Sequence, residues 1–441
     1  MNATDENRGA FDITEGVDTD HAFCSVPTDK RKSYFSLTVV WTGYVFVITS
    51  MMVGGGLAAG LTFRQILAVS IIGNLFLGVI ATLVSYISSR EGLSFALLTR
   101  YSFGLKGSRI ASFFVPAVNL GWYIIQAATY GHYIALIFGL GDFGEALCMM
   151  ASAILMGVFA FVGMNAITIL GYVSIPAIVF LSIATSIRAT EVAGGFQNIL
   201  NHVPAAPISL GIGVTAVIGT WILSTSTCIA DIMRYAKTPG GAIASALTGL
   251  ILGNTLMIVC GALASIAVND SDLPAVLLSM GLLIPSFILM TTNIFTTNAA
   301  NLYSNSLNLA NSFRVNRRKM IIVILVIAAL VTLVKPYRIG ALFAFLDTLG
   351  NVVPPLAGII IADAFLVRKL DFPALDAHAF RNWNPAAFVT WLAALVLSFA
   401  VPFELPALVS LVASIILYPI CNRFLGGEIA GAAKGDNHGK I

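Results

Sequence analysis

About twelve apolar stretches run through the chain, and each is about long enough to form a helix that crosses a membrane. They lie near residues 36–58, 66–88, 110–139, 146–164, 166–187, 209–233, 241–268, 275–312, 320–335, 340–366, 385–401 and 405–422. A bilayer core of about 30 Å requires roughly 20 apolar residues in a helix, and only 10% of this chain is charged. The stretches lack the alternation of barrel strands, and lipid offers backbone groups no partner. The sequence therefore predicts an all-α polytopic membrane protein with about twelve transmembrane helices.

The basic residues predict which helix ends face the cytoplasm. With the amino terminus inside and twelve crossings, only Arg64, Arg188, Lys335 and Arg338 of the 24 Lys and Arg residues fall outside. An excess of basic residues marks the cytoplasmic side of a membrane protein. We therefore predict a multi-pass protein of the inner, cytoplasmic membrane with both termini in the cytoplasm. The polar residues 1–33 contain no signal-peptide core and are predicted to be a disordered tail.

Other sequence features argue against an enzyme, a metal protein and a nucleic-acid-binding protein. Motifs such as HExxH, GxSxG and CxxC are absent, and the five histidines and five cysteines are dispersed. The net charge of +3 arises from short basic loop clusters, which topology explains without a nucleic-acid partner. No cofactor is predicted, and His132 within an apolar span is interpreted as a hydrogen-bonded packing residue. A membrane-embedded sensor or enzyme is the alternative of a different class, and neither would concentrate its ligand in proteoliposomes.

One apolar segment carries much uncharged polarity. Residues 290–311 read MTTNIFTTNAANLYSNSLNLAN, and twelve of these 22 residues are Thr, Asn or Ser while none is charged. At 100° per residue, one helical arc of about 80° contains Asn293, Thr297, Asn301, Ser304 and Asn308. Such residues commonly join transmembrane helices, but a stripe of three turns predicts a water-accessible cavity or an ion site. The lack of charge favours a neutral solute and a weakly held monovalent cation.

The first and sixth spans contain sequences that interrupt a helix easily. Thr49-Ser50 and three glycines at 54–56 fall in the first span, and the polar run 224–227 lies in the middle of the sixth. Discontinuous helices five spans apart are typical of transporters built from two inverted five-helix repeats. Unwound carbonyls can coordinate Na⁺, and half-helix ends can orient a solute. This pattern predicts a solute site near the membrane midplane.

Five motifs resemble those of the nucleobase–cation symporter family of purine, cytosine, allantoin and hydantoin permeases. They are LLTRYSFGLKGS (97–108), NLGWYIIQ (119–126), IADIMRY (229–235), TTNIFTTNAANLYSNSL (291–307) and PPLAGIIIAD (354–363). The chain is most similar to the bacterial cytosine permeases, and the resemblance covers about residues 33–370. It implies alternating access and the neurotransmitter–sodium symporter-like fold, a 5+5 inverted repeat with two added C-terminal helices.

The resemblance also implies the domain organisation. The cytoplasmic N-terminal tail is expected over 1–33, and a cytoplasmic C-terminal tail over 424–441. The first inverted repeat, with spans one to five, is expected over 34–190. The second repeat, with spans six to ten, is expected over 205–368, and spans eleven and twelve over 385–423.

The substrate site implied by the resemblance contains two tryptophans. Trp122 matches the third-span tryptophan that stacks on the heterocycle, and Trp221 matches the sixth-span aromatic residue on its other face. Stacking of a base on an aromatic ring contributes about 1–3 kcal/mol. Hydrogen bonds to the ring edge are predicted from Asn119, Gln126, Ser224 and Asn293. Buried amides also tie helices together, which is the alternative role for these side chains.

The resemblance further implies a cation site between the first and eighth spans. Thr296 and Thr297 match the hydroxyl pair of the family's sodium site, and the carbonyls of Gly43, Val47 and Asn293 complete it. Neutral oxygens without a carboxylate make a weak site, which suits Na⁺ that must leave again in the cytoplasm. Coupling to H⁺ is the alternative because several relatives use protons, although no Asp or Glu lies near these positions.

Departures from the family pattern leave the substrate open. Cytosine permeases have Gln where Asn119 stands and Phe where Trp221 stands, whereas two tryptophans with Gln126 are more similar to the hydantoin and allantoin branch. Cytosine is the leading substrate, and the alternatives are a purine, hydroxymethylpyrimidine, hydantoin or allantoin. An amino-acid carrier of the same fold is a further alternative. We expect a monomer in the lipid bilayer.

Charged pairs and a bend are predicted near the helix ends. Asp231 with Arg234, and Asp363 with Arg368, are interpreted mainly as salt bridges at the cytoplasmic ends of the sixth and tenth spans. The segment LDTLGNVVPP (346–355) contains glycine and paired prolines. It predicts a bend that serves an extracellular lid.

Overall fold

The computed structural model describes residues 24–162, 164–313, 317–375 and 378–426. Within these ranges, the side chains of 159–175, 300, 303–304 and 306–318 are excluded from the description. The described residues form helices and no strand, and one isolated bridge joins Lys32 to Ala236. The prediction of an all-α protein is confirmed.

The helices follow one another with short connections. Those of the first half are α1 (Tyr34–Val45), α2 (Ile48–Ala58), α3 (Phe63–Glu91), α4 (Phe95–Phe103), α5 (Gly107–Ile137), α6 (Asp142–Val162), α7 (Met164–Val192) and α8 (Phe196–Leu200). Those of the second half are α9 (Leu210–Ser226), α10 (Cys228–Met233), α11 (Pro239–Leu247), α12 (Thr255–Val268), α13 (Leu273–Ser279), α14 (Leu283–Phe313), α15 (Arg317–Thr332), α16 (Ile339–Val352) and α17 (Pro354–Ala362). A π-helical turn, Thr248–Asn254, joins α11 to α12, and a second, Asp363–Val367, follows α17. The last helices are α18 (Pro385–Ala400) and α19 (Pro406–Leu425).

Many of these helices have the length and apolar surface of membrane spans. Within the described ranges, five continuous helices qualify by length and composition, namely α3, α5, α11–α12, α16–α17 and α19. The bent pair α1–α2 adds a sixth, and α9, α18 and part of α15 are shorter apolar helices. Outward-facing side chains such as Val79 and Phe399 are apolar and exposed. The chain is a multi-pass membrane protein, although this measure does not establish the predicted count of twelve.

The first span is broken at Phe46 and Val47. The axes of α1 and α2 differ by 50° across this break, and Val47 is extended with φ −130° and ψ 140°. The sequence predicts an interruption in this span, but at Thr49-Ser50 and the glycines at 54–56. Those residues are helical in α2, so the predicted position of the break is wrong.

The glycines of α2 allow close contact with α12. A Cβ atom at Gly54 would lie 1.9 Å from the Ile258 carbonyl oxygen, and one at Gly261 would lie 1.9 Å from the Met51 carbonyl oxygen. Small residues permit such close approach of transmembrane helices. Gly54 therefore packs the first span against the seventh, and the glycines of α2 do not unwind it.

Gly261→Ala should destabilise the fold, because the added methyl group forces two backbones apart. Overpacking of this kind costs about 1–3 kcal/mol, and the midpoint of thermal unfolding in detergent should fall. Gly340→Ala is the matched control, since no atom of the described residues lies within 4 Å of its Cβ position. Equal midpoints for the two variants would contradict the close contact.

Two other predicted irregularities occur at neighbouring positions. The sixth span is interrupted at Thr227, which separates α9 from α10 with φ −134° and ψ −74°. This residue lies within the predicted polar run 224–227. The tenth span passes from α16 to α17 at Val353, within the predicted bend, yet the two helices continue as one span. The role of this segment as a lid stays a prediction.

The described part of the N-terminal tail contacts the helices. The Lys32 N–H donates to the Tyr235 carbonyl at 2.6 Å, and Arg31 Nη1 donates to the Ser89 carbonyl at 2.7 Å. Val26 is buried. The sequence predicts disorder over 1–33, but residues 24–33 are ordered by backbone contacts that a polar composition does not reveal. Residues 1–23 and 427–441, which include most of the predicted tails, lie outside the described residues.

The predicted charged pairs have different outcomes. Arg368 Nε lies 2.9 Å from Asp363 Oδ2, so this salt bridge is confirmed. Asp231 Oδ1 instead accepts the Phe95 N–H at 2.9 Å, at the start of α4, and Arg234 Nε donates to the Asp231 backbone carbonyl at 3.2 Å. The carboxylate of Asp231 therefore caps a helix, where the N-terminal dipole favours negative charge.

A charged cluster joins several spans at their predicted extracellular ends. His132 Nδ1 lies 2.7 Å from Glu145 Oε1, and His132 Nε2 lies 2.7 Å from Asp272 Oδ2. Lys335 Nζ lies 2.6 Å from Glu145 and 2.9 Å from Asp142. The carboxylates of Glu145 and Asp142 raise the pKa of Lys335. The hydrogen-bonded packing role predicted for His132 agrees with these interhelical contacts.

Candidate functional site

Trp122 lies in the middle of α5 and its side chain is buried. The residue is 8% exposed, unlike a tryptophan that anchors a helix at the membrane surface. Its ring meets the edge of Phe345 in α16, with 5.1 Å between centroids and an 85° angle between planes. A Cβ at the neighbouring Gly121 would lie 2.7 Å from the same phenyl ring. Trp122 therefore packs against the tenth span inside the helix bundle.

Trp221 lies in α9 and is also buried, at 5% exposure. The rings of Trp41 and Tyr44 in α1 contact it edge-on, with centroid distances of 6.2 and 5.3 Å. Its indole N–H donates to Asn254 Oδ1 at 3.1 Å and to Ser50 Oγ at 3.3 Å. The indole therefore has fixed neighbours on the first and seventh spans.

The tenth span lies beside both tryptophan-bearing helices. Phe345 contacts Trp122, and the carbonyl oxygen of Leu346 would lie 2.6 Å from a Cβ at Gly219, two residues before Trp221. Among the described residues, no ring contact joins the two indoles to each other. The helices that carry the two predicted walls thus both pack against α16.

Three predicted polar residues are buried in the same helices. Gln126 is 2% exposed, and its Oε1 has no hydrogen-bond partner within the described part of the chain. Asn119 is buried in α5, and buried Ser224 adjoins the Tyr44 hydroxyl. An unsatisfied buried polar atom costs about 1–3 kcal/mol and calls for an explanation. Gln126 Oε1 is able to accept a hydrogen bond from a bound solute.

Asn293 connects the eighth span to the break in the first. Its Nδ2 donates to the Phe46 carbonyl at 2.9 Å, and its Oδ1 accepts the Ile48 N–H at 2.8 Å. These are backbone groups that the interrupted helix leaves without intrahelical partners. The Asn293 side chain, predicted to contact the solute edge, thus bridges the two ends of the break.

The predicted cation ligands lie on either side of this bridge. Thr297 Oγ1 donates to the Asn293 carbonyl at 3.0 Å, and Thr296 Oγ1 donates to the Thr292 carbonyl at 2.5 Å. The Thr297 hydroxyl, which donates its proton to the Asn293 carbonyl, presents its oxygen lone pairs to a cation.

The predicted carbonyl ligands of the first span, Gly43 and Val47, lie near the C-terminal end of α1. The Val47 carbonyl accepts the Ser50 N–H at 3.1 Å, and no N–H of the described residues donates to the Gly43 carbonyl. The C-terminal end of α1 also carries the negative end of its helix dipole. The donor set and the local field therefore fit a small monovalent cation.

Several residues of this region escaped the sequence analysis. Asn298 follows Thr297 and is fully buried; its Nδ2 donates to the Tyr123 carbonyl at 3.1 Å, and its Oδ1 has no partner within the described ranges. Asn74 and Asn254 lie behind Trp221 and are fully buried. A search for single amides within apolar runs would have found Asn74 and Asn254, because polar groups inside the membrane are costly and usually functional. Asn301 of the polar stripe is buried, whereas the side chains of 304 and 308 lie outside the description.

Comparison with known proteins identifies the family. The family described as "Permease for cytosine/purines, uracil, thiamine, allantoin" matches residues 25–416. The chain belongs to this family. The cytosine permease of Escherichia coli (strain K12) is 30% identical to the present permease over 405 residues, which cover 90% of this chain and 94% of the relative.

Solved structures share the fold of the permease. Mhp1 in an inward-facing conformation has a TM-score of 0.78 at 21% identity, covering 91% of this chain and 93% of Mhp1. Mhp1, described as a nucleobase-cation-symport-1 family transporter, in a closed conformation with bromovinylhydantoin bound, has a TM-score of 0.75 at 20% identity, covering 93% and 96%. A Na⁺-coupled sialic acid symporter has a TM-score of 0.58 at 13% identity, covering 90% of each chain.

These findings confirm three predictions from the sequence. The chain is a member of the nucleobase–cation symporter family. Its fold is the neurotransmitter–sodium symporter-like 5+5 inverted repeat. Members of the family are permeases, so the expectation of a transporter and not an enzyme is confirmed as well. The roles of individual site residues stay predictions.

Proposed function

We propose that this permease imports a planar, uncharged nucleobase-like heterocycle by Na⁺ symport through alternating access, with cytosine as the leading substrate. The observation that carries the proposal is the pair of buried indoles, Trp122 and Trp221. One turn from Trp122, Gln126 Oε1 is a buried acceptor without a partner among the described residues. Flat aromatic walls favour a flat ring, and a buried acceptor requires a solute with an N–H group. Cytosine has both features.

The comparisons support cytosine but leave related rings as alternatives. The E. coli relative is named a cytosine permease, while the Mhp1 structure contains bromovinylhydantoin. A purine, hydroxymethylpyrimidine, hydantoin or allantoin would also present a flat edge with N–H groups. In this proposal Asn119 and Ser224 recognise the solute edge together with Gln126.

Na⁺ is proposed as the second transported species. Its ligands would be the Thr296 and Thr297 hydroxyls with the carbonyls of Gly43, Val47 and Asn293. These oxygens lie on the two sides of the Asn293 bridge, so Na⁺ would strengthen the contact between the first and eighth spans. Because coupling between ligands is reciprocal, the solute should then tighten Na⁺ binding by the same factor. Coupling to H⁺ is the alternative.

We also propose where the permease acts and how many copies it contains. The permease would act as a monomer in the cytoplasmic membrane with both termini inside, since this orientation places most Lys and Arg residues on the cytoplasmic side.

Uptake into proteoliposomes tests the proposal directly. Radiolabelled cytosine should accumulate above its external concentration when a Na⁺ gradient is imposed, and excess unlabelled substrate analogues should compete in the order of their affinities. Accumulation driven by a pH gradient without Na⁺ would show that the coupling ion is H⁺ and not Na⁺. Binding of cytosine without accumulation would favour a sensor.

Thr297→Ala should raise the Na⁺ concentration that gives half-maximal uptake by about tenfold, which equals about 1.4 kcal/mol, because one cation ligand is lost. At saturating Na⁺, cytosine uptake should remain close to that of the unmodified protein. Thr332→Ala is the matched control, since its buried hydroxyl donates to the Ala329 carbonyl at 2.7 Å within α15. An unchanged Na⁺ dependence of Thr297→Ala would remove Thr297 from the cation site.

A further inference from the structure

A chain of hydrogen bonds holds the Trp221 indole from behind. The indole N–H donates to Asn254 Oδ1 at 3.1 Å, and Asn254 Nδ2 donates to Asn74 Oδ1 at 2.8 Å. Asn74 Nδ2 in turn donates to Thr255 Oγ1 at 2.9 Å. Both asparagines have no exposed surface. The chain connects the sixth span to the seventh and second.

The donors and acceptors of this chain fix the orientation of the Asn254 amide. Its oxygen must face the indole, because an indole nitrogen is a donor only. Its NH₂ group has a second acceptor in Thr220 Oγ1 at 3.2 Å, and that hydroxyl itself donates to the Val217 carbonyl at 2.6 Å. A flipped amide would place two donors against each other. Linked hydrogen bonds in a buried site also strengthen one another.

Backbone geometry brings Asn254 to this place. Asn254 is the last residue of the π-helical turn Thr248–Asn254, and such turns are often found at functional sites. Gly249 in the same turn makes room for Trp41, whose Cδ1 would lie 2.4 Å from a Cβ there. Trp41 packs edge-on against Trp221. The turn thus positions both the polar and the aromatic neighbours of the Trp221 ring.

We propose that Asn254, supported by Asn74, is a positioning residue that sets the tilt of the Trp221 indole and thereby shapes one wall of the substrate site. The inference rests on the proposed function. Because the protein itself uses the indole N–H, Trp221 presents a solute with a ring face and no hydrogen-bond donor. Solutes are then selected on this side by ring shape, and their polar edges are recognised elsewhere.

A double-mutant cycle tests the positioning role. Asn254→Leu removes the acceptor of the indole N–H at similar volume, and the loss of this fixed orientation should weaken binding of labelled cytosine by about two- to tenfold, which equals about 0.4–1.4 kcal/mol. In the Trp221→Phe background, which has no indole N–H, the same change should have less than about a twofold effect. An equal loss in both backgrounds would show that Asn254 acts by packing, and would overturn the proposal.

A measurement without ligand separates this inference from the proposed function. ¹⁵N-tryptophan labelling gives five indole N–H resonances, one for each tryptophan, and Trp221→Phe assigns the signal of Trp221. That signal should be protected from solvent exchange, and it should shift and lose protection in Asn254→Leu. Asn74→Leu should move it in the same direction by a smaller amount, which keeps the test valid if Asn254→Leu fails to fold. An unaltered Trp221 signal in the folded variants would overturn the positioning role.

The two possible failures are distinct. A wild-type protein that binds none of cytosine, hypoxanthine, hydantoin and allantoin would overturn the proposed function, and with it the role of Trp221 as a substrate wall. The indole resonance would still decide whether Asn254 holds the ring.

Discussion

Trp122→Ala is expected to abolish measurable cytosine binding, the largest effect of any single change in the proposed substrate site. Stacking on an aromatic ring contributes about 1–3 kcal/mol, and 1–3 kcal/mol corresponds to about a 5- to 150-fold loss of affinity. The edge contact with Phe345, at 5.1 Å between centroids, would be lost as well. The phenyl ring would then be free to occupy the space of the indole, which adds to the loss.

Binding of labelled cytosine to purified protein measures this effect. Trp122→Phe keeps an aromatic face and should retain much of the affinity. Trp383→Ala is the control, because Trp383 is 48% exposed and lies outside the proposed site. Thermal unfolding of each variant separates lost binding from lost folding. Affinity within twofold of the unmodified protein in a folded Trp122→Ala variant would exclude Trp122 from the substrate wall.

Asn293→Ala is expected to weaken stability and Na⁺ binding together. The change leaves the Phe46 carbonyl and the Ile48 N–H without the partners they have at 2.9 and 2.8 Å. Each unsatisfied buried group costs about 1–3 kcal/mol, so the total is several kcal/mol unless water enters the break. Because the proposed cation ligands Val47 and Thr297 lie on the two sides of this bridge, a loosened break should also raise the Na⁺ requirement.

Unfolding midpoints and the Na⁺ dependence of uptake measure the two effects. Asn293→Asp keeps an acceptor for the Ile48 N–H but offers no amide donor to Phe46, and should give an intermediate result. The matched control is Asn351→Ala, because the buried Asn351 amide donates to the Asp347 carbonyl within its own helix at 2.8 Å. If Asn293→Ala melted like the control and kept its Na⁺ dependence, the bridge would not hold the break.

The candidate site could be predicted from sequence only where local patterns report it. The motif around Trp122 and the hydroxyl pair Thr296 and Thr297 are readable because they lie in short segments that resemble motifs of the symporter family. The break in the first span lies at Phe46 and Val47, before the predicted positions, since glycines 54–56 suggest unwinding equally well as close packing. What distinguishes the two is the backbone of α12, which lies about two hundred residues further along the chain.

The two amide bridges show the same limit. Asn293 is visible as one member of a polar stripe, but its hydrogen bonds go to residues 245 and 247 positions away. Asn74 and Asn254 are single amides in apolar runs, separated by 180 positions, and nothing in either run names the other as its partner. Sequence periodicity describes one helix at a time, whereas these bonds depend on how helices pack.

The sequence by itself determined that this chain is a multi-pass helical membrane protein of the nucleobase–cation symporter family, because hydrophobic length and short motifs are local properties. Only the tertiary structure decided where the first helix breaks, which side chain bridges that break and how the Trp221 indole is held. Those features depend on hydrogen bonds and backbone contacts between distant segments, and such contacts exist only once the helices are packed together.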